Sequence, residues 1–203
     1  MKTNRATLLV FTAAASAMVL AACSNSKEPN STNLDAAITD GLSSGPRLCA
    51  TVALDWPDSA ADSSDQAQTR RPLVDAGLLS ATAVSVPNAV GAPVPGHKYD
   101  LTAEGKKYAN RGALCYGKPH LQKLLDWDPV VTVLGVPQTM AHFTYTIDDL
   151  PEWAKRPDVQ AALPNMHDVI DGQNKNKMQM PLMLDGDHWR SATLTGHKST
   201  TLD

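Results

Sequence analysis

The chain has 203 residues, 18 Lys or Arg against 21 Asp or Glu, a formal charge of −3 and 5% aromatic residues. That length bounds it to one ordinary domain or two small ones. A chain on the acidic side of neutral is a poor general binder of nucleic acid or anionic lipid. The charge is uneven, however: residues 24–69 are acid-rich, whereas Lys98, Lys106, Lys107, Arg111, Lys118 and Lys123 stand in one stretch against only Asp100 and Glu104. That stretch is the candidate face for an anionic partner.

The N-terminus carries Lys2 and Arg5, then an apolar run over 8–22 broken only by Thr12 and Ser16. A charged start, an apolar core too short to span a bilayer and small residues at its end make a secretory signal over 1–22. Leu20, Ala21, Ala22 and Cys23 resemble the bacterial lipobox. The resemblance implies that a diacylglycerol joins the Cys23 thiol and that cleavage leaves Cys23 as an acylated N-terminus. Ser24, in place of an aspartate, implies by the same likeness an anchor in the outer membrane with the body facing the periplasm. Residues 23–31, small and polar beyond the cysteine, read as a tether. The overall layout resembles the small proteobacterial outer-membrane lipoproteins, a likeness that implies location and no mechanism. If Cys23 is lipidated, Cys49 and Cys115 are left as an even pair in an oxidising compartment, and a disulfide between them is expected.

Leu34, Ala37, Ile38 and Leu42 fall at helical spacing, so a helix is expected over 33–42 with Asn33 as its cap and Gly41 or Gly45 as its stop. A strand is expected over 48–54 and a loop over 55–65. The helical pattern over 66–79 holds Pro72, which cannot sit inside a regular helix without loss of a hydrogen bond, so the firm part is expected from Pro72 to Gly77. A strand over 78–86, a turn region over 87–96 and a returning strand over 98–101 follow, then a short helix capped by Thr102.

The sequence Leu73, Val74, Asp75, Ala76, Gly77, Leu78, Leu79, a turn-rich excursion, and then Tyr99, Asp100, Leu101, Thr102, Ala103, Glu104, Gly105, Lys106, Lys107 resembles the end of a recognition helix, a wing and the next helix of winged-helix proteins. The likeness covers about 66–108 and implies local fold. Pro72 departs from a groove-reading helix, and only Arg70 and Arg71 are placed to reach phosphates, so DNA binding is not carried over.

Beyond Gly112 the composition turns to strands. They are expected over 113–117 and 121–127 with a turn at Lys118 and Pro119, over 130–136, and from Pro137 onward. In that last strand Ala141, Phe143, Tyr145 and Ile147 alternate with Met140, His142, Thr144 and Thr146. Prolines 151, 157 and 164 begin short helical turns. A strand over 178–184 turns at Gly186 and Asp187 toward His188, Trp189 and Arg190. The fold class is therefore α+β: a helical, winged-helix-like part over 32–110, a mostly antiparallel sheet with short helices over 111–194, and a polar tail over 195–203.

His97, His120, His142, His167, His188 and His197 form no i, i+4 pair with a glutamate, and no Gly-x-Ser-x-Gly elbow exists. No catalytic, cofactor-binding or metal-ligating set is expected. Asp185 and Asp187 around Gly186 match only a fragment of a calcium loop and read as a turn. Trp56, Trp127, Trp153 and Trp189 are expected in the core or, where exposed, on a partner surface.

The leading expectation is a non-enzymatic, lipid-anchored periplasmic protein that binds an envelope protein or anionic polymer, with no nucleic acid partner. An envelope hydrolase using Asp148, Asp149 and Glu152 is the first alternative. A winged-helix DNA-binding protein with a fortuitous signal is the second.

Overall fold

The computed structural model describes residues 25–192; Cys23, the 1–22 segment and the 195–203 tail lie outside the described residues. The fold is mixed α and β, dominated by antiparallel strands in two sheets. The larger has the order β1-β6-β8-β9-β10, with β5 beside β6 and β7 beside β8. Its members are β1 (Leu48–Thr51), β5 (Ala109–Asn110), β6 (Ala113–Trp127), β7 (Val131–Val133), β8 (Val136–Asp148), β9 (Met178–Asp185) and β10 (His188–Ser191). The smaller, in the order β2-β4-β3, holds β2 (Asp58–Ala61), β3 (Leu79–Pro87) and β4 (Pro93–Leu101).

Helix α1 (Ser31–Ser44) buries Leu34, Ala37, Ile38 and Leu42, the four positions read from spacing. Each of the larger side chains contributes about 2 kcal/mol by leaving water. They meet Ala141, Phe143, Leu182 and Trp189, so the helix touches β10, β9 and β6 of one curled sheet. The cap is Asn30, not Asn33: its side-chain oxygen Oδ1 accepts from the Asn33 N–H at 3.0 Å. Asn33 instead turns its amide back to donate to the carbonyls of Asn25 and Glu28 at 2.9 and 2.8 Å. Residues 25–30, read above as tether, are thus fixed to the body, because short polar side chains are good clamps for neighbouring backbone.

Three further expectations are corrected by tertiary pairing. β2 forms where a loop was expected, since Asp58, Ser59, Ala60 and Ala61 pair with Tyr99, Lys98, His97 and Gly96 of β4. Helix α2 (Asp65–Asp75) starts well before Pro72: Ser64 caps it, accepting from the Ala67 N–H at 3.2 Å, and Ala67, Arg70 and Leu73 bury one face. That buried face and cap outweigh the single bond Pro72 forfeits. Half of the 87–96 turn region is strand; the loop shrinks to 88–92, where the Asn88 side chain accepts from the N–H groups of Val90 and Ala92 at 3.0 and 2.9 Å. Pro93 and Pro95 lie past the end of β2, so their missing N–H groups break no bond to it.

Two strand boundaries also move. The expected turn at Lys118 and Pro119 is absent, and β6 runs unbroken from Ala113 to Trp127, shifting register between Leu121 and Lys123 and again between Leu124 and Asp126. Conversely, the apolar run over 130–136 is split by a turn at Leu134 and Gly135, which joins β7 to β8 as a hairpin. The short helices follow the prolines as expected: a 3-10 turn (Glu152–Lys155), α3 (Pro157–Ala162) and α4 (Pro164–Asp171). They pack Trp153, Ala154, Val159, Leu163 and Met166 against Tyr145, Ile147, Leu114 and Leu73, a second core separate from that under α1. Since α1 and β1 both pack on the 111–194 sheet, contacts cross the boundary read at 110 in two places.

Candidate functional site

The smaller sheet and α2 enclose the most chemically varied cleft. Strand alternation turns Asp58, Ala60, His97 and Tyr99 toward the helix, and the two consecutive arginines of α2 then diverge. Arg70 is 1% exposed, bonds the Asp58 carboxylate and lies 5.2 Å from the centre of the Tyr99 ring. Arg71 is exposed and lines a cleft of about 260 Å³ together with Asp62, Val74, Ala81, His97 and Tyr99. In that cleft His97 Nδ1 donates to Asp62 Oδ1 at 2.6 Å. A carboxylate there can only accept, so the proton sits on Nδ1 and leaves Nε2 as the second polar point of the ring. Burial, and after it the Asp62 charge, holds the Tyr99 hydroxyl above its ordinary pKa, so it stays a donor at neutral pH. The cleft therefore presents a guanidinium, a phenol and an oriented imidazole, a set suited to binding a polar group. None of its lining residues carries a thiol or aliphatic hydroxyl.

Local spacing gives His97 no partner, because Asp62 follows a strand whose composition is that of a loop. The period-two placement of Asp58, Ala60 and Asp62 was the available signal.

The six basic residues are carried by four different places in the fold. Lys98 is on β4, Lys106 and Lys107 are in the 3-10 turn Gly105–Lys107, and Arg111 makes the β5–β6 turn. Lys118 and Lys123 stand along β6, opposite Asp148 and Thr144. Lys107 pairs with Glu104 at 2.5 Å and Lys118 donates to the carbonyl of Ser43. The remaining four make no ion pair among the described residues.

The disulfide joins Cys49 and Cys115, directly opposed on β1 and β6. It staples the segment after α1 to the large sheet. Cys49 also lines a cleft of about 470 Å³ with Tyr116, Leu163 and Met166.

The acids weighed for hydrolysis separate. Asp148 faces His120 at 3.6 Å, Asp149 occupies a left-handed turn with φ 58°, and Glu152 pairs with Lys155 at 2.5 Å. Glu152 lines a cavity of about 440 Å³, where the other carboxylate is Glu104 and neither Asp148 nor Asp149 contributes.

Two residues of the polar row of β8 are held by side chains of β6. His142, 8% exposed, is bonded through Nδ1 to Asp126, and Thr144 donates to Gln122. The hydrogen bond from His142, reinforced by Lys177, holds the Asp126 carboxyl below the usual carboxylate range. Among the described residues, no group of three or more His, Cys, Asp or Glu is gathered to hold a metal ion, and no helix is long and apolar enough to cross a membrane.

The chain matches no known protein family, no curated protein and no solved structure.

Proposed function

We propose that the chain is an envelope lipoprotein, anchored in the outer membrane through Cys23 and facing the periplasm, whose folded part is a non-enzymatic binding or structural module. The observation that carries this reading is the run Leu20, Ala21, Ala22 and Cys23 behind a charged start and a short apolar core. Asn25, two positions beyond Cys23, already offers its carbonyl to Asn33, and Lys27 pairs with Asp187 at 2.7 Å. The Cys49–Cys115 bridge supports an oxidising compartment.

The partner in this reading is an envelope protein or an anionic polymer, met by Lys98, Lys106, Lys107, Arg111, Lys118 and Lys123. The cleft at Arg71, His97 and Tyr99 is the place for a polar group of that partner. The strand order β2-β4-β3 beside α2 supports a winged-helix-like unit used as local architecture. With Arg70 committed to Asp58, one guanidinium of the pair is left to face phosphates, so no nucleic acid is included among the partners.

Labelled palmitate incorporated by the wild-type chain and lost on Cys23→Ala is the expected result. Equal labelling of both chains, or none, overturns the anchor. Charge reversal at Lys98, Lys106 and Lys123 that leaves envelope co-purification unchanged overturns the basic partner face.

A further inference from the structure

The β7–β8 hairpin ends in Leu134 and Gly135, with φ of 51° and 82°. Two left-handed residues make the tight turn that suits strand twist, and the first position is normally Asn, Asp or Gly. Here it is a leucine, 99% exposed. Val130, Val131 and Val133 beside it are exposed as well, Val131 at 57%, and Trp127 stands part-exposed at the hairpin base. Folding gains nothing from holding a bare leucine in a disfavoured backbone region at the tip of a valine-rich hairpin.

The strand register says what lies beside this tip. Gln138 of β8 pairs with Met183 of β9, so continuing both strands brings the β9–β10 turn at Gly186 and Asp187 level with Leu134 and Gly135. Asp187 in that turn binds Lys27, and the indole of Trp189 donates to the Lys27 carbonyl at 3.1 Å. Cys23 is four residues earlier, a reach of at most about 14 Å of extended chain. Helix α1 then leads away: its last turn meets Lys118, which pairs with Asp148 at the opposite end of β8. Lys27, four positions along the chain from Cys23, and the apolar tip therefore belong to the same pole of the molecule. At this pole Lys27 pairs with Asp187 and Arg190 with Asp185. With both of these described cations held by aspartates, the pole suits a neutral rather than an acidic lipid surface, with a tryptophan at interfacial depth.

We propose that the tip formed by Val131, Val133 and Leu134 inserts into the same lipid leaflet that holds the acyl chains on Cys23, a second membrane contact that fixes the orientation of the body. The inference rests on the lipid-anchor reading and deepens it.

The test uses the full chain reconstituted in phosphatidylcholine vesicles with brominated acyl chains, carrying an environment-sensitive fluorophore at Val133→Cys. The same label at Val90→Cys, 86% exposed in the β3–β4 loop, is the control. Quenching of about twofold or more is expected at 133, with none at 90. Leu134→Asn suits the left-handed turn better, so it is expected to keep the thermal midpoint and lose at least about half of the quenching at 133. Equal quenching at 133 and 90 overturns the inference. So does a shift of the 133 emission with protein concentration in the absence of vesicles, since a second copy would then be the occupant. Palmitate on Cys23, measured in parallel, separates the two proposals: palmitate present with 133 unquenched removes the tip contact alone. Palmitate absent removes the anchor, and quenching at 133 by the unanchored chain then decides the tip.

Discussion

The indole N–H of Trp189 donates to the carbonyl of Lys27 at 3.1 Å, joining the last strand of the fold to the segment ahead of its first helix. Residues 162 positions apart are tied at one pole of the sheet, and Trp189 itself is buried under α1. Trp189→Phe keeps most of the apolar surface and removes this donor. The expected loss is about 1 kcal/mol in urea unfolding, with faster amide exchange at residues 25–30 than elsewhere. Unchanged exchange there would show that Asn33 and Asp187 suffice to hold the segment.

The bridge between Cys49 and Cys115 closes a loop of 66 residues. On the chain-entropy account such a loop contributes about 4 kcal/mol. Guanidinium unfolding of the double Cys49→Ser, Cys115→Ser variant is expected to show a loss of that order. A thiol titration of the denatured, unreduced chain should find neither cysteine free.

Arg70 and Asp58 give a contrast between breaking a buried pair and replacing it. Asp58→Ala strands a guanidinium that is 1% exposed and has Nε and Nη1 without partners already. Because the Asp58 side chain is 35% exposed, the expected loss is discounted to about 2 kcal/mol. Arg70→Met keeps the packing on Tyr99 and removes the charge, so its expected cost is below about 1 kcal/mol. Equal losses for the two variants in thermal or urea unfolding would contradict this assignment.

Asp35 makes stability depend on pH. Its Oδ1 is buried in α1 without a partner, and desolvation holds its carboxyl above the ordinary value. The folded form then binds the proton more tightly than the unfolded one, so ionisation costs stability as pH rises through and above the unfolded value near 3.8. Asp35→Asn is expected to raise the thermal midpoint at pH 7, with the gain shrinking as pH falls below that value. A gain that persists undiminished at pH 3 would assign the effect to packing instead.

The hairpin at Leu134 and the strand at Asp58 show why part of the fold was not legible locally. A run of apolar residues over 130–136 reads as one strand, and only the pairing of Val131 with Gln138 across the turn breaks it in two. Asp58, Ser59, Ala60 and Ala61 have the composition of a loop, and they become a strand because β4 supplies partners for their backbone. Likewise Pro72 marks a helix start by local rule alone, while the cap at Ser64 and the burial of Leu73 carry the helix through it.

By itself the sequence determined what depends on neighbours a few positions apart: the apolar stripe of α1, the alternation along β8 and the proline-started helices. Spacing along the chain translates directly into one face of a helix or strand, so those patterns survive without knowledge of the partner. Tertiary structure alone decided that Asp62 meets His97, that Arg70 is spent on Asp58, and that Lys27 and Leu134 share one pole. Each of these joins residues through strand register or side-chain reach across the fold, quantities that no local pattern encodes.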